Sequence, residues 1–244
     1  MTAIRRTLRP LRVGLAAAIA IAIAGAVLAH GAKAKPNCFG KPATVVGTPG
    51  RDHLKTGPHN DVVVGLGGKD FIGTGSGKDL VCGGSGDDLI VTGFGQDKVN
   101  GGSGDDTLHA ADDNDLTLGG GGNDFIDGRR TDTGDVDKGG PGNDRILGGV
   151  LILGGAGADA IKGTDYVNDS SIPSVIKGGP GNDTISGRTG NDKILGLKGN
   201  DSLSGLQGDD TLDGGIGDDD LDGGPGTDTC SQGPGTGTLT NCER

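Results

Sequence analysis

Between Gly47 and Asp127 an aspartate returns at every ninth residue without a break: Asp52, Asp61, Asp70, Asp79, Asp88, Asp97, Asp106, Asp115 and Asp124. Nine nonads carry it, from GTPGRDHLK through GGSGDDLIV to GGGGNDFID. The register breaks at Gly128 to Lys138, returns as GGPGNDRIL, breaks at Gly148 to Leu153, returns as GGAGADAIK, and breaks again from Gly163 to Lys177. Six further nonads then run from Gly178 to Ser231, with Asp183, Asp192, Asp201, Asp210, Asp219 and Asp228 in phase. A fixed short period of this kind restricts a chain to repeat architectures, in which each unit buries its apolar side only against its neighbours.

The two halves of a nonad have different chemistry. Positions 1, 2 and 4 are mostly glycine, which can take positive φ and bring carbonyls inward where a Cβ would block them. Such an arrangement suits a hard, oxygen-seeking cation. Position 8 is a large aliphatic residue, from Leu54, Val63 and Ile72 to Leu203, Leu212 and Leu221, whereas positions 7 and 9 vary from Lys98 to Phe71. Strand side chains alternate between faces, so position 8 points inward and its neighbours outward. Thr117, between Leu116 and Leu118, breaks the pattern and predicts a local slip of register. With 54 glycines and only five aromatic residues in 244, no bulky jigsaw core is available. Carboxylates on neighbouring strands, roughly 5 Å apart, repel by about 1 to 3 kcal/mol per pair, and a bound cation reverses that sign.

The in-phase GGxGxDxUx pattern resembles the RTX, or hemolysin-type, calcium-binding nonapeptide family. The resemblance implies an all-β fold, a right-handed parallel β-roll (β-solenoid) with two nonads per coil, in which each GGxGxD is a turn and each xUx a short strand. It also implies Ca2+ between turns 18 residues apart. The implied carboxylate ligands are Asp52, Asp61, Asp70, Asp79, Asp88, Asp97, Asp106, Asp124, Asp144, Asp159, Asp183, Asp192, Asp201, Asp210, Asp219 and Asp228. Turn carbonyls complete the set, among them those of Gly65, Gly83, Gly84, Gly86, Gly101, Gly102, Gly104, Gly119, Gly178, Gly196 and Gly214. Asp115, in the glycine-free turn AADDND, is the least secure candidate, with Asp112 and Asp113 near enough to compensate; TGPHND carries His59 where glycine should stand. Counting the gaps between stacked turns gives roughly nine to eleven ions. A chain with this ladder is expected to be largely disordered without calcium and folded with it.

Residues 1–34 hold Arg5, Arg6, Arg9, Arg12 and Lys33, no acid, and an uncharged run from Val13 to Ala29, which reads as a signal peptide ending near Ala32-Lys33-Ala34. Its removal leaves 17 basic against 33 acidic residues, a net charge of −16, which disfavours nucleic acid and anionic membranes as partners. The remaining segments are an N-terminal cap (35–46), a roll of nine nonads (47–127), an irregular roll with insertions (128–177), a roll of six nonads (178–231) and a C-terminal disulfide cap (232–244). Four cysteines allow three pairings. Cys38 with Cys82 and Cys230 with Cys242 is the favoured one, because each bridge pins a terminal segment to the roll end it must cap.

No catalytic constellation accompanies the repeats: His53, His59 and His109 all lie inside nonads, and Gly73 to Lys78 lacks the Ser or Thr of a phosphate loop. An EF-hand needs a glutamate that closes its loop, and Glu243 is the only glutamate in the chain. The expectation is a monomeric, non-enzymatic, secreted calcium-binding protein acting as a repeat array in its own right, released or cell-wall associated. The rival is an extracellular adhesion or surface-layer module that uses the roll as a spacer toward a surface or matrix partner. Its contacts would be Tyr166, Val167 and Ile172 to Ile176.

Overall fold

Alternation of one buried and two flanking side chains turns the second half of each nonad into a strand, and successive strands fall into two parallel sheets of eleven. The computed structural model describes residues 34–128, 134–163 and 173–243. The predicted signal peptide lies outside them except for Ala34, as do Tyr166, Val167 and Ile172. The first sheet stacks Val45–Val46, Val62–Gly67, Leu80–Ser85, Lys98–Ser103, Leu116–Gly121, Val136–Pro141, Leu151–Ala156, Val175–Pro180, Lys193–Lys198, Thr211–Ile216 and Thr229–Ser231. The second stacks the intervening strands from His53–Lys55 and Phe71–Gly73 to Asp220–Asp222 and Leu239–Thr240. Each strand therefore pairs with one two nonads away, as in Val63↔Val81 and Ile72↔Ile90, and two nonads make one coil.

Position 8 lines the space between the sheets. Val63, Ile72, Val81, Ile90, Val99, Leu108, Ile126, Ile146 and their successors to Leu221 form one buried stack. The predicted slip at Thr117 does not occur: Leu116 pairs with Lys98 and Thr117 with Val99, so Thr117 occupies the inward position and is fully buried. A polar residue in that row left the backbone ladder intact, because register is carried by main-chain pairing and by the turns on either side.

The turns form two edges. On the first edge, ten six-residue turns run from Gly47 to Asp219, each ending at its sixth-position aspartate. All irregularity between 128 and 177 falls on the second edge. There the sequence separating consecutive paired strands becomes eight residues (128–135), three (148–150) and twelve (163–174) instead of six. These changes account for aspartate spacings of 20, 15 and 24 where 18 is the rule, while the strands remain in register.

Both ends are closed. Cys38 is bonded to Cys82 and Cys230 to Cys242. The N-terminal bridge does more than cover the roll end. The hairpin of Asn37–Cys38 and Lys41–Pro42 brings Cys38 and Ala43 against Val62, Val64, Leu80 and Cys82 at positions 7 and 9, on the outer face of the first sheet. At the other end Leu239 pairs with Leu221, and the carboxylate of Glu243 accepts a hydrogen bond from the Asp228 N–H.

Candidate metal centre

The sixth-position aspartates form ladders along both edges, continuous on the first. The backbone N–H of each donates to Oδ1 of the aspartate one coil on: Asp70 to Asp88, Asp88 to Asp106 and Asp106 to Asp124, each at 2.8 Å. The first edge repeats this from Asp52 to Asp219. That bond engages one carboxylate oxygen. The other, Oδ2, is buried and without a hydrogen-bond partner in Asp70, Asp79, Asp88, Asp97, Asp106, Asp124, Asp144, Asp159, Asp183, Asp192, Asp201, Asp210, Asp219 and Asp228. A buried carboxylate oxygen left without a partner is among the costliest features a fold can carry, and a recurring one marks a place for an ion or water.

The surroundings of these oxygens decide which. A Cβ placed on Gly101 would stand 2.3 Å from Asp106 Oδ2 and 2.6 Å from the Gly119 carbonyl oxygen. The same cradle recurs at Gly65, Gly83, Gly119, Gly139, Gly154, Gly178 and Gly196, each facing the Oδ2 of its own turn and the carbonyl of the next. Glycine at position 1 thus keeps open a small, all-oxygen space between coils. The donor set suits Ca2+, which takes carboxylate and carbonyl oxygens. Nitrogen and sulfur ligands for softer metals are missing, and no cluster of three or more His, Cys, Asp or Glu side chains occurs among the described residues.

Burial sets the electrostatics. It raises the carboxyls of Asp88, Asp124, Asp192, Asp201 and Asp210 to about 6, and those of Asp97, Asp106 and Asp159 to about 7. Donation from a backbone N–H opposes the shift in each case, and neighbouring ladder carboxylates add to it, as Asp124 and Asp88 do at Asp106. In such surroundings a carboxylate stays charged at neutral pH only where a cation balances it.

The profile of the RTX calcium-binding nonapeptide repeat matches residues 46–81, 83–117, 91–126, 118–132, 138–150, 175–203 and 195–230, more than half of the 244 residues. The chain belongs to that family. Comparison with curated proteins finds no match.

Within this RTX roll the structure also places residues that the periodicity did not mark. Asp135 joins the second-edge ladder, accepting from the Asp115 N–H, and Asp115 itself accepts from Asp97; both therefore stand in the ladder despite the irregular turns around them. Val150 and Ser174 take the next two sixth positions, so two consecutive coils lack a carboxylate there. Counting back four residues from each first-edge Gly-Gly (Gly139, Gly154, Gly178) would have found all three. Asp52 also differs from the rest, because Thr48 donates to its Oδ2 from both N–H and hydroxyl.

A second ladder runs the other way. Where the fifth-position residue one coil back is Asn or Asp, its side chain accepts from the N–H of its successor, as Asp105 does from Asn123, Asn123 from Asn143 and Asn200 from Asp218. The two edges of the RTX roll also differ at position 1. Thr56, Thr74 and Thr92 replace glycine on the second edge; the hydroxyls of Thr56 and Thr74 are buried without a hydrogen-bond partner, and that of Thr92 faces the Asp97 carboxylate and favours its charged form.

Proposed function

We propose that the protein is a secreted, non-enzymatic calcium-binding repeat protein that folds as it binds an array of ions between stacked turns. The observation that carries this reading is the recurrence, coil after coil, of an orphaned Oδ2 facing a glycine cradle and a carbonyl oxygen. The ligands are the sixth-position aspartates named above, with Asp115 and Asp135 added, and the turn carbonyls. Ten first-edge turns enclose nine intervals, and the second-edge turns opening at Gly187, Gly205 and Gly223 enclose two more, so eleven intervals open on glycine at position 1 and are the principal sites. The Thr-bearing intervals between Asp61 and Asp97 are weaker or differently ligated sites.

Secretion is supported by the two disulfides, which persist in oxidising surroundings, and by the signal-like residues 1–34. Export of an unfolded chain followed by folding in calcium-rich surroundings suits an array that cannot close without the ion. Equilibrium dialysis tests the reading. It predicts roughly nine to eleven Ca2+ per chain and no comparable uptake of Mg2+, which demands tighter octahedral geometry; uptake of one or two ions would contradict it.

One observation favours the second reading, an adhesion or surface-layer module. The outer face of the second sheet carries a shallow groove of about 610 Å³ bordered by Arg51, His53, Lys69, Phe71, Leu89 and His109. Retention of the calcium-loaded chain on cell-surface or matrix preparations, lost on substituting Phe71 and His109, would support that role.

A further inference from the structure

The outward rows of the first sheet change character along the roll. Over the first coils Val62, Val64, Leu80 and Cys82 meet the Cys38 hairpin, beneath which Val64 is 7% exposed. The next six strands carry Lys98, Leu116, Val136, Leu151, Val175 and Lys193 at position 7, each paired with the one before. Position 9 of the same strands reads Asn100, Leu118, Lys138, Leu153, Lys177 and Leu195. The coils that follow turn polar, with Thr211, Asp213, Thr229 and Ser231. The hairpin stops at Leu80 and Cys82, and the leucines and valines beyond it are half-buried. An aliphatic strip therefore continues the surface on which the hairpin sits.

Charge and size define what fits it. Neither row holds a carboxylate from Lys98 to Leu195, in a chain of 33 acidic and 22 basic residues. Among the described residues the ion pairs are Lys69–Asp87 and His109–Asp127, so Lys98, Lys138, Lys177 and Lys193 have no carboxylate partner. With strands about 4.8 Å apart the strip is about 24 Å long, and its two rows stand roughly 7 Å apart. Those are the dimensions of a single peptide segment. A bilayer or a second roll is flat and wide, and would also press on the polar coils at Thr211 and Asp213. Rungs every 4.8 Å or so come close to the 5.4 Å pitch of an α-helix, whereas side chains on one face of a strand recur at roughly 6.7 Å.

We propose that this strip is a docking surface for an acidic amphipathic helix of a partner protein. The apolar side of the helix lies on the Leu and Val rungs, and its carboxylates meet the four lysine ammonium groups. The hairpin shows the mode within the chain itself: a short segment laid across the same outward positions, burying Cys38 and Ala43 to 1% and 2% exposure. The surface requires the folded roll and not a particular number of ions.

Fluorescence anisotropy tests the assignment on the full disulfide-bonded chain in calcium. The probe is a labelled helical peptide of leucine and glutamate, about 16 residues long so as to span the strip at 1.5 Å per residue; the same peptide with lysine for glutamate is the control. The assignment predicts saturable binding of the acidic peptide alone. Its affinity falls about tenfold in both Leu151→Ser/Leu153→Ser and Lys138→Glu/Lys177→Glu. All four side chains point away from the core row, and circular dichroism matching wild type confirms that each variant has folded. The lysine pair keeps the test open if the leucine pair does not fold. An acidic peptide that does not bind, or that binds both variants as tightly as wild type, overturns the proposal. Two other results also overturn it: a wild-type dimer in sedimentation that the leucine pair abolishes, which gives the face to a second copy, and variant-sensitive binding to phosphatidylglycerol vesicles without peptide binding, which gives it to a lipid surface.

Discussion

A single methyl group separates a binding turn from a blocked one. At Gly101 a Cβ meets Asp106 Oδ2 and the Gly119 carbonyl, whereas at Gly121 nothing lies within 4 Å. Gly101→Ala is therefore expected to remove the ion between those turns and lower holo stability by about 1–3 kcal/mol, while Gly121→Ala stays within about 0.5 kcal/mol of wild type. Thermal denaturation in saturating calcium distinguishes the pair. Position 2 gives the opposite case. Leu66, Arg188, Leu197 and Leu206 hold φ between +73° and +87°, where a side chain is strained. Leu206 is 42% exposed and loses little burial on substitution, so Leu206→Gly is expected to raise holo stability by about 0.5–1 kcal/mol.

The ladder carboxyls also fix a pH dependence. Their folded-state values near 6 to 7 lie above the ordinary aspartate value of about 3.9. A raised acid contributes stability that is full below its unfolded value and is lost as pH rises through its folded value. Without calcium, acidification from pH 7 toward 4 should therefore favour the roll, and circular dichroism at the two pH values checks it. With calcium the ion competes with the proton, so apparent affinity should fall as pH drops through 7 and 6.

At the scale of strands and turns, the two edges have unequal freedom. The first keeps six residues in all ten turns and carries the aspartate ladder without a gap, so two residues inserted after Gly104 should break pairing on both sides of it. The second already accepts separations of three to twelve residues between paired strands. Replacing Gly148-Gly149-Val150 by a six-residue GGxGxD turn should be tolerated, and dialysis should find calcium uptake unchanged or increased. The bridges contribute through loop closure: with separations of 44 and 12 residues, chain-entropy reasoning gives about 4 kcal/mol for Cys38–Cys82 and about 3 for Cys230–Cys242. Melting of Cys38→Ser and Cys230→Ser variants in calcium should follow that order.

The same inequality explains what the sequence revealed and what it hid. Residues inside unbroken nonads could be placed by counting, because strand pairing repeats at 18 residues: the core from Leu54 to Leu221 and the sixth-position aspartates both follow from the period. Asp135 and Ser174 could not be placed by counting forward through turns of variable length, since their position is set by pairing across coils. Thr117 misled because polarity was taken for register. The outer-face seat of the Cys38 hairpin was hidden because Val62, Val64, Leu80 and Cys82 occupy outward positions that vary freely elsewhere. Glu243 takes the place of a ladder aspartate through a different residue type and spacing, which no periodicity reports.

For the whole molecule, the balance rests on the ladder. An interior one side chain deep, built on 54 glycines that are costly to order, stands against two columns of closely stacked carboxylates. Calcium turns the second of these from a liability into the principal cross-link between segments 18 residues apart. The most direct test is a far-UV circular dichroism titration of residues 35–244 with Ca2+, with Mg2+ as the control. The account predicts a largely disordered chain that gains β signal cooperatively with Ca2+ and not with Mg2+; a chain already folded in the absence of calcium, and unchanged by it, would contradict the account.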